Sequence, residues 1–73
     1  MSLINEKKDF SIISSLIPER SSVIDVGCND GSLLEYLQIN KKVEGRGMEI
    51  DQEKVQLCLS KGISVIEGDA DTD

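Results

Sequence analysis

Residues 21–37 read SSVIDVGCNDGSLLEYL. The β-branched run Ser22 to Val26 fits a short buried strand, bounded by a serine pair on one side and Gly27 on the other. GCNDG is then a turn, and the leucines at 33, 34 and 37 resume a period of 3.6, so a helix starts at or just before Ser32. A strand that passes through a glycine turn into a helix presents free backbone N–H groups and the positive end of a helix to whatever lies above it.

The same alternation continues on both sides. Upstream, DFSIISSLIPERSS places Ile12, Ile13, Leu16 and Ile17 on one helical face, with Asp9 as N-cap and Pro18 as the stop. Downstream, VEGRGMEI is a second strand weakened by its glycines. DQEKVQLCLSKG is a helix capped by Asp51, with Val55, Cys58 and Leu59 as its buried stripe and Gly62 as its C′ residue. ISVIEG, residues 63–68, is a third strand, followed by an acidic tail. Helix, strand, helix, strand, helix, strand with short connections predicts an α/β fold with a parallel sheet and right-handed crossovers.

Composition narrows the function. The chain has 73 residues, enough for one domain at most, and such a chain buries only roughly 60% of its unfolded surface. Eight basic against fourteen acidic residues give a net charge of −6, without a basic cluster larger than a Lys-Lys pair. That surface repels a phosphate backbone, and one Phe with one Tyr make no stacking platform, so nucleic acid is not expected as a partner. Two cysteines thirty positions apart, no apolar leader and no long apolar span fit a reduced cytoplasmic protein off the membrane. With no histidine and no C-x-x-C pair, no metal site is expected, and Cys28 lacks a base that would make it a nucleophile.

Three strand ends carry the candidate ligand residues. Gly27 and Gly31 let the backbone approach a ligand that a Cβ would block. Some twenty residues on, Glu49 stands where doubly wound sheets place an acid for ribose hydroxyls; Asp51 competes for this role but suits a helix cap better. At the third strand end, Asp69 is placed to accept from an exocyclic amine such as that of adenine, with Ala70 leaving room for the ring and offering its N–H. The dinucleotide fingerprint G-x-G-x-x-G is not met, because Asn29 and Ser32 stand at the second and third glycine places. An acidic rim also disfavours a diphosphate, which leaves an NAD-type dinucleotide module as the weaker alternative and favours a cationic or zwitterionic nucleoside.

VIDVGCNDG, GMEID and EGDAD resemble the first three motifs of class I S-adenosylmethionine-dependent methyltransferases. From Asp9 to the end, the chain resembles the methionine biosynthesis protein MetW family. The resemblance implies a Rossmann-like doubly wound parallel sheet, of which this chain supplies the N-terminal part: three strands with flanking helices. It divides the chain into a flexible N-terminus (1–8) and an incomplete S-adenosylmethionine-binding domain (9–73). It implies that Asp25 and Gly27 shape the methionine end of a cofactor site, that Cys28, Asn29 and Gly31 belong to the same loop, that Glu49 binds ribose and Asp69 the adenine amine, and that Ile50 lies against the adenine ring. Asn29 departs from the family's central glycine.

The implied role is methyltransferase-like, in methionine biosynthesis, or that of a non-catalytic accessory partner of a homoserine O-acyltransferase. Acceptor-side residues come from later strands in this fold, so no catalytic residue is assigned, and the 73 residues alone are expected to be inactive. The resemblance also makes the first strand central in the complete sheet. The uncovered edge beside Val23, Ile24 and Val26 is therefore expected to pair with a further part of a longer protein or with a second copy.

Overall fold

The computed structural model describes residues 6–69, with side chains from Phe10 onward. The elements are α1 (Glu6–Ser15), β1 (Ser22–Val26), α2 (Ser32–Lys41), β2 (Glu44–Glu49), α3 (Gln52–Ser60) and β3 (Ser64–Glu67). The three strands form one parallel sheet in the order β1-β2-β3. Its register aligns Asp25 with Gly47 and Val65, and Val26 with Met48 and Ile66.

Strand alternation then decides the two faces. Val23 and Val65 join Cys28, Leu34, Cys58 and Ile63 in the core beneath α2 and α3. Ile24, Val26 and Ile66 face the other way and are more than half exposed. The glycines of β2 belong to the helix-side face. A Cβ on Gly45 would stand 3.0 Å from Leu34 Cδ2, and one on Gly47 would fall 2.4 Å from Cys28 Sγ, inside contact distance. These glycines therefore let α2 and the β1–α2 loop sit directly on the strand, at the cost of the strand propensity that the sequence lacks there.

Asp51 caps α3 as expected, its Oδ1 accepting from the N–H groups of Glu53 (2.9 Å) and Lys54 (3.3 Å). Gly62, at φ +76°, ends the helix, and the Ile63 N–H closes back on the Cys58 carbonyl at 3.0 Å. Three local expectations are corrected. Helix α1 begins at Glu6, which puts Asp9 inside it rather than at its cap. Its inward residues are Phe10 and Ser14, while Ile12, Ile13 and Leu16 are exposed. The helix packs on α2, where the Phe10 and Tyr36 rings meet at 5.7 Å, and that contact sets its rotation. Leu59 is also exposed, because only Val55 and Cys58 of α3 turn to the sheet.

Candidate functional site

The carboxyl ends of all three strands meet at one rim, and the β1–α2 loop crosses it. The Gly27 and Cys28 N–H groups both donate to the Met48 carbonyl, at 2.7 and 3.1 Å, which carries the ladder one step past β1 and pins the loop to β2. Gly27 (φ +73°), Asn29 (φ +55°) and Gly31 (φ +84°) are left-handed. Asparagine is among the few non-glycine residues that adopt this conformation readily, so the loop keeps its path without the central glycine. At Gly27 a Cβ would meet nothing within 4 Å, and the backbone lies open to the rim.

Glu49 is the centre of the arrangement. Its Oε1 accepts from the Asn29 N–H at 2.7 Å and its Oε2 from the Asp51 N–H at 3.0 Å, and the residue is only 6% exposed. Those backbone donors, Asp51 first and Asn29 second, hold its pKa below the usual carboxylate range. An ionised carboxylate has about four lone-pair sites, and two N–H donors leave acceptor capacity on both oxygens. The Asn29 side chain closes the loop on itself: Nδ2 donates to the Gly27 carbonyl at 3.1 Å, and Oδ1 accepts from Lys54 Nζ at 3.1 Å.

Two clefts flank Gly27. One, of about 150 Å³, is bounded by Gly27, Glu49, Ile50, Gly68 and Asp69. The other, about 520 Å³, is bounded by Gly27, Asp25, Asn29, Ser32 and Lys54 among others. The structure thus brings Gly27, Glu49, Ile50 and Asp69 together on one side and Asp25, Cys28 and Asn29 on the other. Cys28 is 4% exposed, its side chain turned into the core rather than towards the rim. Gly31 faces away from the rim, against Cys58 and Ile63. Ala70 lies outside the described residues.

Asp25 is half-buried, and desolvation first, then the charge of Glu49, raises its pKa. Asp30 is shifted the other way by the Ser32 hydroxyl and N–H (2.7 and 3.0 Å) and by Lys61, 3.6 Å away. This Asp30–Ser32 bracket replaces a side-chain cap on α2, whose N-cap is Gly31. Lys54 and Lys61 were not anticipated as partners of the loop. Both lie on or just after α3, more than twenty positions from it, and nothing local marks such a contact. Among the described residues no cluster of three metal-ligating side chains occurs, and no helix is long and apolar enough to cross a membrane.

The family model of methionine biosynthesis protein MetW matches residues 7–73. The chain belongs to the MetW family. A relative from Rhodopirellula baltica, the bifunctional methionine biosynthesis protein MetXA/MetW, is 33% identical over 69 residues, covering 84% of this chain and 11% of the relative. In fold, the chain is similar to a TehB-like SAM-dependent methyltransferase from Corynebacterium glutamicum, with a TM-score of 0.79 at 19% identity, over 89% of this chain and 36% of that one. The chain therefore has the α/β architecture of the methyltransferase Rossmann-like fold, and it spans a small part of the length of both proteins.

Proposed function

We propose that this MetW-family chain forms the S-adenosylmethionine-binding part of a methyltransferase-like protein that serves methionine biosynthesis. The observation that carries this reading is the Glu49 carboxylate, fixed by two backbone N–H groups at a strand end and bounding the smaller cleft, where its remaining lone pairs suit a vicinal diol. The residues fit the cofactor. Gly27 offers an open backbone surface between two clefts, which suits an elongated ligand lying across it with its nucleoside towards Glu49, Ile50 and Asp69. The aminoacyl end would then lie towards Asp25 and Asn29, where carboxylate charge suits an ammonium group. When bound, the cofactor supplies an electrophilic methyl group on a sulfonium centre.

Within this stretch the residues bind and orient: Glu49 fixes the ribose, Asp69 the adenine amine, and Gly27 admits the chain between them. Calorimetric titration of the protein with S-adenosylhomocysteine and, separately, with NAD tests the reading. Binding of the first and not the second is expected; tighter binding of NAD would return the site to the dinucleotide class.

A second reading, an accessory partner of a homoserine O-acyltransferase, is favoured by one observation: the Rhodopirellula relative carries MetXA and MetW in a single chain. A pull-down between the separately produced proteins tests it, and the two readings are compatible in one molecule.

A further inference from the structure

Cys28 and Cys58 are thirty positions apart in sequence, yet their sulfurs lie 3.7 Å from each other in the core. Both thiols are free and buried. Cys28 belongs to the loop, Cys58 to α3, and the Cys58 thiol also donates to the Asn29 carbonyl at 3.1 Å. The pair thus touches the residue whose N–H holds Glu49. With no third metal-ligating side chain clustered beside them among the described residues, the two sulfurs do not form a zinc site of the usual four-ligand kind.

We propose that Cys28 and Cys58 are a modification site, closing a reversible intrachain disulfide that loosens the Asn29–Glu49 contact and so weakens ligand binding at the rim. The consequence for binding rests on the reading of that rim as a cofactor site; the disulfide itself does not. A disulfide needs the sulfurs about 2.05 Å apart, so closure has to shorten the 3.7 Å separation by turning the side chains and shifting the loop. Cys28 lies outside the regular elements, held there by its N–H bond to the Met48 carbonyl at 3.1 Å, so closure strains that bond.

With hydrogen peroxide as oxidant, one thiol sulfur is first oxidised to a sulfenic acid, releasing one water. The second sulfur then displaces hydroxide from it. In sum both S–H bonds break, one S–S bond forms, and the two electrons and two protons leave with the peroxide oxygens as two waters. A thiol reductant reverses the step by exchange. The cost to the loop follows from the lost proton: the Asn29 carbonyl no longer has the Cys58 thiol as donor, and the sulfurs' approach draws Cys28 towards α3. Burial, the bond to Cys58 and nearby carboxylates push the Cys28 thiol up to about 12, so the closed loop reacts slowly and oxidation follows its opening.

The test treats the protein with hydrogen peroxide, alkylates under denaturing conditions and maps the peptides by mass without reduction. A linked Cys28–Cys58 pair, two hydrogens lighter than the dithiol and reopened by dithiothreitol, is expected. Recovery of both cysteines as alkylated thiols, as sulfinic acids or in disulfides between chains would overturn the proposal. The oxidised protein is also expected to melt no lower than the reduced one, because the cross-link restrains the unfolded chain. It should nevertheless bind S-adenosylhomocysteine about tenfold more weakly or worse; equal affinity of the two forms overturns the proposal. If the reduced form does not bind that ligand, the cofactor reading fails by itself, and amide exchange at Asn29 decides instead: faster exchange after oxidation is expected, and unchanged exchange overturns the coupling.

Discussion

The Asn29 N–H donates to Glu49 Oε1 at 2.7 Å across twenty positions of sequence. This bond joins the β1–α2 loop to the end of β2, and it exists because Asn29 holds φ at +55°. A glycine there keeps both the conformation and the N–H, whereas a β-branched residue resists the left-handed region at a cost of roughly 1–2 kcal/mol. Asn29→Gly is therefore expected to leave S-adenosylhomocysteine affinity within about threefold, since only the side-chain bonds to Gly27 and Lys54 are lost. Asn29→Val is expected to lower stability by that 1–2 kcal/mol, read by chemical denaturation, and to weaken binding with it.

The fold shifts the pKa values of Asp25 and Asp30 in opposite directions. The folded-state pKa of Asp25 is raised, so the native chain holds that proton more tightly than the unfolded chain, and stability falls as pH rises through the two values. Asp25→Asn is accordingly expected to raise the melting temperature at neutral pH, by an amount that shrinks as acid protonates Asp25 in the parent. A gain independent of pH would assign the effect to packing. For Asp30, whose pKa is lowered, the sign reverses: its contribution is fully present above the usual carboxylate range and is lost as pH falls towards its folded value. Asp30→Ala should flatten the acid limb of the stability curve.

Gly47→Ala tests the packing beneath the loop. The new methyl would fall 2.4 Å from Cys28 Sγ and 3.0 Å from its Cβ, so the loop has to move. Overpacking of this kind typically costs about 1–3 kcal/mol. The expected result is that loss together with weaker ligand binding, because the displaced Cys28 precedes Asn29. Full stability in the variant would mean that the loop yields without cost and that its packing does not need a glycine at 47.

The limits of β1 and the cap and stop of α3 were legible because single residues decide them: the boundary at Gly27, the Asp51 side chain, the left-handed Gly62. The rotation of α1 was not. Four apolar residues at 12, 13, 16 and 17 argued for one face, and the Phe10–Tyr36 contact, a tertiary event, chose another. The glycines of β2 read as a weakness because propensity is local, whereas Leu34 and Cys28 fill the space they leave. At the rim, the spacing from the glycine turn singled out Glu49. Its two backbone donors depend on the path of a left-handed loop, and the approach of the two cysteines depends on packing between α3 and that loop; neither leaves a periodic trace in sequence.

The central claim is that Glu49 accepts from the ribose hydroxyls of S-adenosylmethionine. It is tested most directly by titrating the protein and its Glu49→Gln variant with S-adenosylhomocysteine, with denaturation curves to confirm that both are folded. Replacing one carboxylate oxygen by an amide NH₂ group removes an acceptor and sets a donor against the Asp51 or Asn29 N–H. A loss of roughly tenfold to a hundredfold in affinity is expected. Unchanged affinity in a folded variant would contradict the claim and remove Glu49 from the site.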